Sequence, residues 1–140
     1  MKTIIYGTGA IARLLFSYAR HSMDIVAFTV DDNCMSGDAG SFLGLPLLPF
    51  SQVEQHLAPA DHAILIAVGF LEMNALRARK QREAEEKGYH LASFVHESVI
   101  RHDEVVFEDG CIVLDHVSIH PGSRIGRGTF ISSNVNLGHD

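Results

Sequence analysis

The sequence predicts an α/β protein of two domains, a small Rossmann-like domain with a parallel sheet followed by the first coils of a parallel β-helix. Two observations carry this prediction. Near the amino terminus, a short apolar strand runs into a glycine turn and then into a helical pattern. Beyond residue 99 the helical pattern gives way to a six-residue repeat. We therefore divide the chain into residues 1–95 and residues 96–140.

The composition is that of a globular protein whose partners are small molecules or copies of itself. Of the 140 residues, 46% are hydrophobic and 20% are charged, which excludes disordered, collagen-like and coiled-coil chains. The 11 Lys and Arg residues are outnumbered by 17 Asp and Glu residues, giving a formal net charge of −6. No basic cluster stands free of neighbouring acids, so we expect no nucleic-acid binding and no binding to an anionic membrane surface.

Targeting and metal-binding patterns are equally absent from the sequence. The first residues reach Gly7 after three apolar residues, too soon for a signal peptide. The longest apolar run, residues 63–68, is far too short to cross a bilayer, so we expect a cytoplasmic protein. The two cysteines, Cys34 and Cys111, lack the spacing of a disulfide framework or of a zinc site, and we expect no bound metal.

The glycine turn and the acidic end of the second strand predict a nucleotide-binding half-domain. A strand over residues 3–6 leads into Gly7-Thr8-Gly9-Ala10, and apolar residues then recur with helical spacing. Such a turn lets backbone N–H groups at the helix start approach a phosphate. The next strand, residues 25–30, ends in Asp31-Asp32, where a carboxylate commonly binds a ribose or base edge. The alternative is that the glycines only form a turn and the acids only end a strand.

The remainder of the first domain predicts further α/β elements. We expect a short strand at 45–48, a helix at 51–57 opened by a capping box at Ser51, a central strand at 63–68, a helix at 71–87 and a last strand at 90–94. On the long helix, Asn74 and Arg77 lie in the first two turns and are candidate donors to a phosphate or a sugar. The rest of its charged run is predicted to face solvent.

Two columns of apolar or small residues carry the six-residue repeat. One column is Phe107, Val113, Ile119, Ile125, Ile131 and Leu137, and the other is Val105, Cys111, Val117, Ser123, Thr129 and Val135. Turn residues recur between them, so each hexad is predicted to be a short strand and a corner, with the aliphatic residues stacked inside. Residues 105–140 hold two such coils. A stack of this kind usually needs more repeats and an end cap, so we expect the chain to be the front part of a longer protein.

This combination of motifs resembles the sugar O-/N-acyltransferases of the sialic acid O-acetyltransferase (NeuD/PglD-type) family. The resemblance implies that the coils are left-handed, that three chains associate, and that acetyl-CoA lies between neighbouring β-helices. It implies a nucleotide-linked sugar, often an amino sugar, as acceptor in the synthesis of surface polysaccharides or other glycans. The residues implied to bind it are Gly7, Thr8, Gly9, Ala10, Asp31 and Asp32, together with Gly69, Asn74 and Arg77 in the stretch GFLEMNALRARK.

The resemblance also implies a catalytic histidine followed by an acid, here His139 and Asp140 in NLGHD. Imidazole is suited to accept a proton from the attacking nucleophile at neutral pH. Asp140 could fix the tautomer of the ring, although adjacent side chains on an extended strand point to opposite sides. Direct transfer to the sugar needs no acyl-enzyme.

Two other functions stay open on the sequence. One is a nucleotide-sugar-binding protein without turnover. The other is an NAD-dependent oxidoreductase built on the glycine turn and Asp31, which fits badly because no residues are left for a second mononucleotide-binding half and a catalytic domain.

Overall fold

The computed structural model describes residues 1–35, 40–68, 75–133 and the backbone of 136–137. The chain forms two compact units, Met1–Leu91 and Ala92–Asp140. The sequence analysis divides the chain after residue 95, and the structure divides it after Leu91.

The first unit is built on one six-stranded sheet. Its strands are β1 (Lys2–Tyr6), β2 (Ile25–Val30), β3 (Ser41–Phe42), β4 (Leu45–Pro49), β5 (His62–Ile66) and β6 (His90–Leu91), in the order β3-β4-β2-β1-β5-β6. The predicted parallel sheet is confirmed, since every pairing is parallel except the short β3–β4 hairpin. The central strands β1 and β5 are buried along most of their length, as expected for strands covered on both faces.

Three helices accompany this sheet: α1 (Ala10–Ala19), α2 (Val53–His56) and α3 (Ala75–Glu86). A core cluster contains Ile4, Tyr6, Phe50, Val53, Ile64, Ile66, Ala84, Tyr89 and Leu91. The predicted capping box at Ser51 is wrong. Ser51 lies inside a 3₁₀ turn (Phe50–Gln52), and α2 begins after it without a side-chain cap. The hydroxyl of Ser51 instead donates a hydrogen bond to the Asp32 carboxylate.

The buried face of α3 differs from the prediction of a solvent-facing charged run. Arg77, Lys80, Gln81 and Ala84 are all buried. Their spacing of three, four and seven residues is that of one helix face. Polar side chains therefore cover the inner face of this helix, and the hydrophobic pattern that normally marks such a face is missing from the sequence.

Short strands recur every six residues in the second unit. They are β7 (Phe94–Val95), β8 (Ile100–Arg101), β9 (Val106–Phe107), β10 (Ile112–Val113), β11 (Ser118–Ile119), β12 (Arg124–Ile125), β13 (Phe130–Ile131) and β14 (Asn136–Leu137). They form three parallel sheets, β7-β10-β13, β8-β11-β14 and β9-β12. Ile112 pairs with Phe94 and with Phe130, one partner on each neighbouring coil. Three successive strands therefore make up one coil, and paired strands lie three places apart in chain order.

The first of these strands corrects the sequence analysis, which assigned residues 90–94 to one strand of the Rossmann-like sheet. His90–Leu91 pairs with β5 of the first unit, whereas Phe94–Val95 pairs with β10 of the second. Residues 90–95 contain no glycine or proline, so no turn residue marks the point at which the chain leaves one sheet and enters another.

The two predicted columns meet in one core cluster. It comprises Cys111, Val113, Val117, Ile119, Ile125 and Ile131, with Val95, Val99, Val105 and Phe107 packed against it. On the first coil the position equivalent to the column holds Arg101, which is exposed. Its guanidinium lies 5.0 Å from the centre of the Phe107 ring, so it covers that ring with a cation–π contact.

From Glu104 to Gly128, every sixth residue of this unit adopts a left-handed backbone. These residues are Glu104, Gly110, His116, Gly122 and Gly128, with φ between +57° and +79°. Glycine reaches this conformation without steric cost, which explains why glycines recur in the sequence at the corners. Glu104 and His116 adopt it despite their Cβ atoms.

Within the described ranges, no helix is both long and apolar enough to cross a membrane.

Candidate functional site

The glycine turn lies at the carboxyl edge of the sheet, between the ends of two strands. The backbone N–H of Gly7 donates to the Thr29 carbonyl of β2 at 2.9 Å, and the N–H of Ala67 donates to the Tyr6 carbonyl at 2.9 Å. Gly7 has φ of +124°, and a Cβ built there would lie 2.7 Å from the Ala67 carbonyl oxygen. Glycine is therefore required at this position by the packing of the sheet, whether or not a ligand binds.

Gly9 is in a different situation. It directly precedes α1, its φ is −87°, and no side chain caps the helix start. A Cβ built at Gly9 would meet no described atom within 4 Å. Among the described residues, none therefore crowds Gly9, and the next residue, the small Ala10, is exposed. Backbone N–H groups at such a helix start favour a negatively charged group.

The two predicted carboxylates follow β2 and are each held by a distant residue. Lys80 Nζ donates to Asp31 Oδ1 at 2.7 Å, across 49 positions of sequence. Ser51 Oγ donates to Asp32 Oδ2 at 2.6 Å, and the Ser51 N–H donates to Oδ1 of the same carboxylate at 3.4 Å. Both acids therefore have one oxygen engaged in a close hydrogen bond, which fixes their orientation.

Lys80 was missed by the sequence analysis. Its side chain is only 6% exposed, and Nζ lies 3.1 Å from Glu83 Oε2 in addition to its bond with Asp31. The same ammonium lies over the rings of Tyr6, at 5.6 Å, and Phe50, at 5.2 Å. The signal that could have found it is the helical spacing of Arg77, Lys80 and Ala84, provided that a buried face is allowed to be polar.

An open cleft of about 720 Å³ extends from these residues. Its lining consists of Asp31, Asp32, Asn33, Phe50, Ser51, Glu54, Lys80, Glu83, Glu86 and Lys87. Five of these are acids and two are lysines, and each lysine is already paired with a carboxylate, Lys87 with Glu54 at 2.5 Å. The cleft therefore carries an excess of negative charge. It suits a neutral or cationic group that donates hydrogen bonds and disfavours a diphosphate.

Two groups near this cleft have shifted pKa values. Burial, reinforced by the neighbouring Asp31 carboxylate, raises the pKa of the Tyr6 phenol far above its ordinary value. Tyr6 therefore stays neutral at physiological pH. Burial alone would raise the pKa of Glu54, but the hydrogen bond and charge of Lys87 outweigh it and lower that pKa. Glu54 is consequently ionised and committed to its lysine.

The structure brings some of the predicted site residues together and leaves others aside. Asp31 and Asp32 line the cleft, and Gly7, Thr8, Gly9 and Ala10 form the turn at the same edge of the sheet. Arg77 is 2% exposed and is not part of the cleft lining. The predicted residues Gly69, Asn74, His139 and Asp140 lie outside the described residues. Across residues 1–35, 40–68 and 75–133, no three acid, histidine or cysteine side chains gather as a metal site would require.

Comparison with solved structures identifies the fold. A histidine-to-asparagine variant of perosamine N-acetyltransferase from Caulobacter crescentus, in complex with CoA and GDP-perosamine, matches 100% of this chain with a TM-score of 0.83 at 22% identity. PerB from the same organism, with the same two ligands, matches at 23% identity and a TM-score of 0.83. The chain shares its fold with sugar N-acetyltransferases.

A protein from a second organism has the same fold. The acetyltransferase domain of PglB from Neisseria gonorrhoeae, in complex with acetyl coenzyme A, matches 99% of this chain with a TM-score of 0.81 at 20% identity. The chain spans 64% of the length of the Caulobacter proteins and 65% of the PglB domain. No protein-family model and no curated protein sequence matches it.

Proposed function

We propose that this protein is a sugar acetyltransferase of the NeuD/PglD type, which transfers acetyl from acetyl-CoA to a nucleotide-linked amino sugar. The observation that carries the proposal is the match of the entire chain, both units included, to an N-acetyltransferase whose structure holds CoA and a GDP-linked sugar. In this proposal the first unit binds the acceptor and the second unit supplies the transfer site.

The first unit offers two surfaces of opposite character for a nucleotide-linked sugar. The turn from Gly7 to Ala10 and the start of α1 favour the diphosphate, because the helix dipole and the backbone N–H groups attract negative charge. The cleft beyond Asp31 and Asp32 favours the nucleoside, whose hydroxyl and ring N–H groups can donate to carboxylates. Gly69, Asn74 and Arg77 remain part of the proposed acceptor site.

In the second unit we assign the transfer step to His139. The amine or hydroxyl of the sugar attacks the thioester carbonyl and loses a proton to the His139 imidazole. The carbon–sulfur bond breaks, and the proton passes to the departing CoA thiolate. Asp140 would orient the ring. A left-handed β-helix and a homotrimer with acetyl-CoA between neighbouring chains are part of the same proposal.

The test is an acetyl-transfer assay on the full chain. Purified protein is mixed with acetyl-CoA and with GDP- or UDP-linked amino sugars, while free CoA thiol and the acetylated sugar are both measured. We expect matched release of the two products, and a loss of about a hundredfold in rate for His139→Ala. Transfer without any dependence on His139 would remove that residue from the mechanism.

His116 supplies a matched control within the same unit. Like His139 it is next to an acid in the sequence; it is exposed, and its Nδ1 lies 2.9 Å from Asp115 Oδ2. We expect His116→Ala to retain the wild-type rate. No transfer to any of the sugars, together with no binding of GDP or UDP by calorimetry, would contradict the proposed function. Binding without transfer would instead favour the second candidate, a nucleotide-sugar-binding protein.

A further inference from the structure

Lys80 is a buried charge at the centre of the candidate acceptor site. Lysine is rarely buried unless it is paired, because removing an ammonium from water is costly. A buried ion pair is also a poor source of stability compared with apolar packing. Stability alone therefore does not explain why Lys80 is buried beside the end of β2, and we ask which group it holds in place.

The ammonium is fixed from several directions. It contacts Asp31 at 2.7 Å and Glu83 at 3.1 Å, and the rings of Tyr6 and Phe50 lie within cation–π distance. With a side chain only 6% exposed, it has little freedom to reach into the cleft. Its charge is already opposed by two carboxylates, so it is poorly placed to bind a phosphate of the ligand.

The Asp31 carboxylate, by contrast, both contacts Lys80 and remains accessible from the cleft. One oxygen, Oδ1, is held by Lys80, while 36% of the side chain remains exposed. We propose that Lys80 is a positioning residue, which locks the Asp31 carboxylate so that it accepts a hydrogen bond from the nucleoside part of the acceptor. This inference rests on the proposed function, because it deepens the role of the acceptor site in the first unit.

The proposal is tested by a double-mutant cycle on nucleotide affinity. The wild-type chain, Lys80→Met, Asp31→Asn and the double variant are titrated by calorimetry with GDP and UDP, and the cycle uses the nucleotide that binds more tightly. We expect each single variant to lose affinity by about tenfold or more, as for loss of a hydrogen bond to a charged group. The double variant should lose no more than the larger single effect, because Lys80 acts only through Asp31.

Comparison of two ligands separates positioning from phosphate binding. The phosphate-free nucleoside and the nucleoside diphosphate of the same base should lose affinity by the same factor in Lys80→Met. A loss confined to the diphosphate would overturn the proposal and make Lys80 a phosphate ligand. Arg82→Met is the matched control, because Arg82 is an exposed cation of the same helix. The Arg82→Met variant should bind both ligands with wild-type affinity.

Lys80→Arg keeps the inference testable if Lys80→Met does not fold. It keeps the charge but changes the donor geometry, so the protein should fold and still lose affinity at least threefold. Wild-type affinity in a folded Lys80 variant, or additive losses in the double variant, would overturn the positioning role alone. A wild-type chain that binds neither GDP nor UDP would overturn the acceptor site itself, and with it this inference.

Discussion

A Cβ atom at Gly7 would lie 2.7 Å from the carbonyl oxygen of Ala67, so the first glycine of the turn is fixed by the neighbouring strand. A Cβ built at the second glycine, Gly9, would meet no atom of the described residues within 4 Å, and the φ of Gly9 is an ordinary −87°. The sequence motif treats the two glycines alike, but the structure separates them. Gly7 shapes the end of the sheet, and Gly9 keeps the start of α1 accessible.

This difference predicts effects of unequal size for the same substitution at the two glycines. Gly7→Ala should lower the free energy of unfolding by about 2–4 kcal/mol, through its positive φ and the clash with Ala67. Gly9→Ala should change the free energy of unfolding by less than about 1 kcal/mol. Urea unfolding followed by circular dichroism measures both. Equal losses for the two variants would contradict the distinction.

The ion pair between Glu54 and Lys87 predicts part of the acid sensitivity of the first unit. Because Lys87 lowers the pKa of Glu54 below its ordinary value of 4.5, the unfolded chain takes up this proton more readily than the folded chain. The stabilisation is therefore fully present above about pH 4.5 and is lost as the pH falls through the lowered pKa.

Urea midpoints at pH 7 and at about pH 3.5 test this relationship. The wild-type midpoint should fall with acid more steeply than that of Glu54→Gln, which has no proton to take up at this site. Glu86→Gln, which removes an exposed carboxylate of the same cleft, should behave like the wild type. An unchanged acid response in Glu54→Gln would show that the pair contributes nothing.

The left-handed corner at Glu104 predicts a stabilising substitution. Glu104 has φ of +63°, whereas the equivalent corner one coil later is Gly122 with φ of +79°. Glu104→Gly should raise the free energy of unfolding by about 1 kcal/mol, because the Cβ clash of the left-handed conformation disappears. Glu104→Gln removes the same charge but keeps the Cβ, so it should bring no such gain. Thermal unfolding of the Glu104→Gly and Glu104→Gln variants tests this prediction. Equal melting temperatures for the two variants would contradict it.

The core of the second unit predicts a contrast between two isoleucines of one sheet. Ile119 is fully buried in the core cluster, while Ile100 is 57% exposed on a neighbouring strand of the same sheet. Ile119→Ala should cost about 2–5 kcal/mol and Ile100→Ala less than about 1 kcal/mol. Denaturant unfolding measures both values. Similar costs would mean that the aliphatic column is not the core of this unit.

The parts of the fold that the sequence predicts are those encoded within short windows. Local patterns predict the strand, glycine turn and helix at residues 2–19, the strand β2 that precedes Asp31, and the buried strand β5. The short strands of the second unit likewise fall at the six-residue spacing visible in the sequence. In each case the period of the side chains matches the geometry of the element that they form.

What the sequence analysis missed depends on residues far apart along the chain. Lys80 and Asp31 are 49 positions apart, and Ser51 and Asp32 are 19 positions apart. Each missed residue also has a common local interpretation, as a solvated helix charge for Lys80 and as a helix cap for Ser51. Only the packing of α3 and of the chain after β4 against the end of β2 gives them their partners, and no local pattern contains that information.

The proposed acceptor site of the first unit binds the nucleotide of the acceptor sugar between the turn at Gly9 and the carboxylate of Asp31. Titration of the ¹⁵N-labelled chain with GDP- and UDP-linked amino sugars, followed by two-dimensional NMR, tests it most directly. We predict saturable shifts of the amides of Gly9, Ala10 and Asp31, with those of Asp61 and His62 at the opposite edge of the sheet unmoved. Shifts centred on His62, or no saturable shifts at all, would contradict an acceptor site between Gly9 and Asp31.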